Sequence, residues 1–323
     1  MSIDRSYLVY AKQTLDQVIT SPMFDFIDGG VHRYSLHPEW LSPNFEMTLI
    51  DQIHFIRILI QVYFLSGSTI YLEFAEFNLN FVLKQFKQPE GLFSMVRYEK
   101  EFPGSYYFFN TDFLDSISPL DFLRVPFDDQ LNLVAMVKPN DLLSVGRSKL
   151  KMKRRNSKFK INNDPSISAK EQALLLDLLL QMKQTMSSNV YDEQINNLML
   201  YFRELPFDAL ELLDLLIIYD VLIKITPQPN LDLLISEIKL HLTDQFPFMN
   251  SFDFLPSDLQ PYDYFDDYNF NQPLYYILLH KDQLLQNYDN QSMCRDIKQI
   301  ITRPWNQLSL LRLFKNQCNS LGL

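Results

Sequence analysis

An all-α fold is what this 323-residue chain predicts, and three observations carry that expectation. Apolar residues recur at helical spacing along most of the chain, in Leu-rich runs that dominate from position 171 onward. Glycine is scarce, with 7 residues against 17 prolines, which disfavours a β-sandwich and its frequent tight turns. A loop followed by a pair of helical patterns has the rhythm of an αα-hairpin array. With 47% of residues hydrophobic and 21% charged, the chain can bury a large core, expected as a single domain over 1–323.

The elements follow in order. Residues 4–20 predict a first helix, with Tyr7, Leu8, Ala11, Leu15 and Val18 at helical spacing and Ser21-Pro22 ending it. Residues 23–43, rich in Gly, His and Pro, read as an irregular loop. A second helix is expected from about Asn44 to Leu65, with Phe45, Leu49, Ile53, Ile56 and Ile60 on one face, and a third from Thr69 to Gln85. After Gly91, the aromatics Phe93 and Tyr106 to Phe109 flank a polar turn at Pro103-Gly104 and predict a β-hairpin. Short helices are expected near 111–117 and 126–137. Residues 147–160 carry Arg147, Lys149, Lys151, Lys153, Arg154, Arg155, Lys158 and Lys160 without an acid, and read as a solvated linker or phosphate-contacting surface loop. Helices then fit 168–187, 191–203, 207–224, 230–244, 272–286, 291–301 and 305–317. A long aromatic and acidic loop precedes 272, and loops of that length are usually functional or disordered. No repeat of fixed short period is present.

Composition narrows the function classes. A net charge of -10 argues against nonspecific binding to nucleic acid or an anionic membrane, and the lone basic stretch carries no nucleic-acid motif. The apolar runs are interrupted by Arg57 and Gln61 and by Glu211, Asp214 and Asp220, so no membrane span is expected. The N-terminus lacks a signal-peptide core, and Cys294 and Cys318 form no CxxC, so the chain reads as cytoplasmic. No GxSxG, P-loop, GxGxxG or HExxH is present. His37, His54, His241 and His280 lack metal-ligand spacing, so neither cofactor nor metal is expected.

The most distinctive stretch is 23–52, MFDFIDGGVHRYSLHPEWLSPNFEMTLIDQ. Its Gly29-Gly30, His32-Arg33, Trp40, Pro43, Phe45-Glu46 and Asp51-Gln52 resemble the GGGFHRYS…W…PHFEKMLYDQ signature of the thioredoxin-domain-containing YyaL and spermatogenesis-associated protein family. Residues 90–110 give weaker support through similarity to the segment GGFYSAxDADSEGxEGxFYVWTxxE. The resemblance implies an (α/α) toroid or barrel of helical hairpins, like those of six-hairpin glycosidases and sugar epimerases, with a small β-hairpin insertion. The family's thioredoxin-like domain and its GGFGxAPKFP segment have no counterpart here. That implies an incomplete barrel whose apolar flank is covered by rearrangement, by self-association or by a thioredoxin-like partner.

The resemblance also points to residues. It places the 23–43 loop at the barrel mouth, where His32 and Arg33 would meet a polyol or carboxylate, with His32 as acid or base and Glu46 and Arg33 orienting substrate. An Arg33–Glu46 structural ion pair is the alternative. Tyr34, Trp40, Asp51 and Tyr107 are candidate ligand contacts. Asp263, Asp266, Asp267 and Asn269, interleaved with Tyr262, Tyr264 and Tyr268, form either a loop that binds a sugar or a hard cation, though without calcium-loop spacing, or a solvated one pinned by its aromatics. Departures from the signature are as telling. Asn44, Met47 and Ile50 stand where the family has His, Lys and Tyr, and Arg97 replaces the first residue of its acidic run. Those losses remove proton-transfer capacity. Two functions therefore stand: a catalytically degenerate barrel that binds a carbohydrate-like ligand or a protein partner, and a sugar epimerase or isomerase using His32. The degenerate reading is favoured.

Overall fold

The computed structural model describes residues 5–100, 103–109, 112–113, 122–127, 130–135, 145–206, 210–225, 229–245 and 280. The chain is mostly helical and divides into two compact units, 1–178 and 179–323.

In the first unit, α1 (Arg5–Ile19) ends where Ser21 Oγ donates to the Val18 carbonyl at 2.9 Å. The chain then runs through 20–46 without a helix. A two-residue strand, β1 (Met47–Thr48), leads directly into α2 (Leu49–Ser66). Thr48 holds extended backbone and its hydroxyl accepts from the Asp51 N–H at 3.2 Å, while the same hydroxyl donates to the Asp51 carboxylate. This reciprocal cap fixes the start of α2. The expected start at Asn44 is thereby corrected, and Glu46 and Asp51 do not share a helix. Gly67, at φ 70°, closes α2 by donating to the Tyr63 carbonyl, a left-handed cap that a side chain would strain.

Helix α3 (Thr69–Gln85) packs on α2, as expected from its periodicity. Leu49, Ile53, Ile56, Leu59 and Ile60 of α2 and Ala75, Leu79 and Val82 of α3 are almost wholly buried. Each large side chain among them contributes about 1.5–3 kcal/mol on burial. By length and mean hydropathy α2 meets the requirement of a membrane-crossing helix, unlike the sequence expectation. Its Arg57, however, pairs with Asp177 at 2.6 Å and donates to the Leu174 carbonyl, so α2 is tied into a polar neighbour as well as a core.

Strand β2 (Val96–Glu99) does not pair with the aromatic run at 106–109, so the expected hairpin there is corrected. It is the centre of a three-stranded antiparallel sheet, between β1 and β5 (Ile161–Asn163). Met47 faces Arg97 on one side, and Arg97 faces Asn163 on the other. Residues 103–107 form a turn instead, whose Tyr106 N–H is taken by the Glu99 carboxylate. A hairpin does form between β3 (Phe122–Phe127) and β4 (Gln130–Ala135), where a helix was expected near 126–137. The alternating apolar residues of LNLV fit a strand period as well as a helical one, and pairing decided. The basic stretch is neither a linker nor a loop at its start: Val145–Arg155 is helix α4, which β5 follows.

Helix α5 (Ala169–Met186) matches its expected span and begins in the first unit. In the second unit α6 (Asp192–Glu204) and α8 (Pro229–Gln245) also fall where the periodicity puts them, while α7 (Leu212–Lys224) starts later than expected. Helices α7 and α8 pack together, with Leu215, Ile218 and Leu222 on one and Leu234, Ile238 and Leu242 on the other buried. Asp220, half-way along α7, is buried between Lys224 at 2.6 Å and His280 at 2.8 Å. The expected helices of 272–317, the aromatic-acidic loop, and most of the helix near 111–117 lie outside the described residues.

Candidate functional site

The 23–46 segment is held by its own backbone. Gly29 and Gly30 have φ of 101° and 99°, and a Cβ at Gly30 would lie 2.4 Å from the Phe81 ring. Only glycine meets both the dihedral and the approach. Asp25 N–H donates to the Gly30 carbonyl and Gly29 N–H to the Asp25 carbonyl, closing the turn. Gln52, fully buried on α2, then grips Val31: its amide donates to the Val31 carbonyl at 2.7 Å and accepts from the Val31 N–H at 2.8 Å.

The rest of the loop walls an open groove of about 580 Å³. His32, Arg33, Tyr34, Trp40 and Asp51 all line it, together with His54. Five of the sequence-predicted residues are thus brought together in one cavity. Their states differ. Arg33 and Tyr34 are exposed, with Arg33 paired to Glu46 at 2.6 Å. The hydrogen bond to Glu46 raises the pKa of an already permanent cation. Glu46 itself does not line the groove. The Tyr34 hydroxyl accepts from the Asn44 amide at 3.2 Å. Asp51 lines the groove from the first turn of α2, where its N–H donates to the capping Thr48 hydroxyl and its carboxylate complements the helix dipole. Trp40 sits at φ 62°, left-handed backbone that costs a bulky residue roughly 1–2 kcal/mol. Burial lowers the pKa of His54, with Arg57 adding to it.

His32 is placed differently from an acid or base. Only 2% of it is exposed, and its ring stands edge-on to Tyr107 at 4.7 Å and Phe45 at 5.2 Å. Burial, with Arg154 and Arg97 nearby, pushes its pKa down to about 3, and its Nδ1 is buried without a hydrogen-bond partner. The imidazole is therefore neutral at physiological pH and walled off by aromatics. Tyr107, also a predicted ligand contact, is 3% exposed and stacks on Phe45 at 5.4 Å; burial raises its pKa. Tyr107 does not line the groove, and His32 contributes to its wall as a nearly fully buried ring. Asp263, Asp266 and Asp267 lie outside the described residues.

Sequence reasoning missed what Tyr107 packs against. Arg154, 3% exposed, donates from one guanidinium nitrogen to both Asp25 oxygens at 2.9 and 2.7 Å and to Asp28 at 2.9 Å. Its planar cation also lies 5.1 Å from the Tyr107 ring centre and 5.3 Å from that of Tyr106. Arg147, one heptad earlier, donates to the Ile27 carbonyl at 3.0 Å and stacks over Phe77. Burial drives Asp28's pKa up, but the charge and hydrogen bond of Arg154, with Lys151, outweigh it and hold Asp28 below the usual carboxylate range. At Asp25 burial wins and the pKa is raised. A signal for this cluster did exist. Arg147, Leu150 and Arg154 recur at helical spacing, and all three are buried on one face of α4.

Among the described residues no three His, Cys, Asp or Glu side chains converge as a metal-binding group. No protein-family model matches the chain, and no curated protein matches it in sequence.

Proposed function

We propose that this chain is a non-catalytic binding module that takes a carbohydrate-like ligand in the loop-walled groove. The observation that carries this reading is the division of the predicted site. Arg33, Tyr34, Trp40 and Asp51 line the groove, whereas the proton-transfer candidate His32, though part of the same wall, is only 2% exposed and packed edge-on against Tyr107 and Phe45. Aromatic faces beside a guanidinium and a carboxylate match a sugar's apolar ring face and its hydroxyls. Strained backbone at a groove-lining tryptophan is the kind of cost that a binding surface retains. We further propose the (α/α) toroid architecture and a distant relation to the YyaL-like family, on the residues of 23–52. In that family's signature this chain's Gly29, Gly30 and Gln52 are backbone-holding positions, which suits a copy that kept the loop and lost the chemistry.

A thermal-shift and calorimetric screen of mono- and disaccharides tests the reading. At least one sugar is expected to raise the melting temperature of the wild type and of His32→Leu, and to leave Trp40→Gly unmoved. The Trp40→Gly protein should itself be no less stable, since glycine relieves the left-handed backbone. Loss of sugar binding in His32→Leu, or turnover of a bound sugar, would overturn the non-catalytic assignment. Silence of the whole panel would reassign the groove to a protein partner.

A further inference from the structure

A second cavity, of about 350 Å³, is lined by residues of α3 and α4 together with Asp28 and Tyr106. Lys84 of α3 and Lys151 and Arg155 of α4 line it, with Gln85 as a further amide donor and Tyr106, whose hydroxyl donates to Asp28 at 3.4 Å. One carboxylate, Asp28, reaches it. That charge is already engaged by Arg154 at 2.9 Å, with Lys151 more distant at 3.9 Å. Lys84 and Arg155 have no carboxylate within ion-pair distance among the described residues. Three cations thus converge on a concave site in a chain of net charge -10, where an acidic protein would otherwise neutralise them.

We propose that this cavity binds a small phosphate-bearing molecule, the phosphate lying among Lys84, Lys151 and Arg155. Arg155 supplies a planar donor pair for two phosphate oxygens, and the lysines supply point charges from two other directions. Asp28 marks the boundary of the anionic part: a phosphate seats away from it, and a hydroxyl of the organic part can donate to it. The volume suits a phosphomonoester of a small polyol rather than a polymer, whose backbone needs an open track. Lys151 adds a supporting detail. Burial lowers its pKa and repulsion from Arg147 and Lys84 adds to that, with Asp28 and Asp25 offsetting only part of it. This site is independent of the groove and stands whether or not a sugar binds there.

Titration calorimetry of the full chain with inorganic phosphate and with phenyl phosphate tests the proposal. Saturable binding is expected for both, lost at least tenfold in Lys84→Gln/Arg155→Gln and largely retained in Lys84→Arg/Arg155→Lys, the order that loss of charge-assisted hydrogen bonds predicts. Both positions are exposed on helices, and circular dichroism melts will verify that each variant folds. A control pair on the same basic stretch but outside the cavity, Lys149→Gln/Lys158→Gln, should leave the affinity unchanged. Absence of saturable phosphate binding overturns the site. So does equal weakening by the control pair, or tighter binding of a single-stranded oligonucleotide than of phenyl phosphate, since either outcome assigns the basic surface to a polyanion.

Discussion

Replacing Arg154 by methionine should be among the most destabilising single changes available to the first unit. The side chain is 3% exposed, and its partners Asp25 and Asp28 are 4% and 17% exposed, so no water replaces the lost donor. Two buried carboxylates would face each other with only Lys151, 3.9 Å from Asp28, left as an ion-pair partner. Breaking a buried ion pair from one side costs about 3–5 kcal/mol, and the lost stacking on Tyr106 and Tyr107 adds to that. Urea denaturation reads the loss as a fall in midpoint of roughly 1–5 M at ordinary slopes. The pH dependence supplies the sharper test. Without Arg154 the Asp25 pKa, already raised, climbs further and that of Asp28 rises above its unfolded value, so the folded variant is least penalised where both are protonated. The difference between wild type and Arg154→Met should therefore shrink as pH falls from 8 to 5. Asp25→Asn/Asp28→Asn in the Arg154→Met background should recover part of the loss and abolish that pH dependence. A cost below about 1 kcal/mol, or one that grows on acidification, would refute the view that the cluster is a buried charge network.

Two further outcomes follow from the same packing. Because the His32 pKa in the folded state is about 3, against an ordinary 6.5, its linked stability is full above 6.5 and declines as pH drops toward 3; His32→Leu should flatten that part of the acid-unfolding profile, measured by urea melts between pH 7 and 4. Gly30→Ala must place a methyl 2.4 Å from the Phe81 ring on a left-handed backbone, so chemical denaturation should show a loss of at least about 2 kcal/mol.

The helical scaffold was legible because periodicity reports burial directly: α1, α3, α5, α6 and α8 start and end close to where their apolar positions and breakers put them. The start of α2 was not, because Phe45 continues the helical stripe of Leu49 and Ile53 equally well, and the Thr48 cap on Asp51 outranked it. The β2 pairing was hidden for another reason. Its partners lie at 47–48 and 161–163, and no local pattern announces contacts so far apart in the chain. At the candidate site, the loop residues of 29–40 were found together because they are sequential. Asp25 and Asp28 went unnoticed because their partner, Arg154, sits in a run of cations that reads as surface. Among those eight cations only the spacing of Arg147 and Arg154 around Leu150 separates the buried from the solvated.

Gln52 and Gln172, both buried, have a consequence for anyone comparing sequences. Gln52 clasps both polar groups of Val31, and Gln172 does the same for Phe93, accepting from its N–H at 3.1 Å and donating to its carbonyl at 2.8 Å. Each side-chain amide stands where a neighbouring strand's peptide would. No other side chain offers one donor and one acceptor at that reach: glutamate would set two acceptors against a carbonyl, and methionine would orphan both backbone groups. Substitution at these two positions should therefore be purged even in copies that bind nothing. An invariant glutamine in this scaffold would be a record of architecture, easily mistaken for one of chemistry.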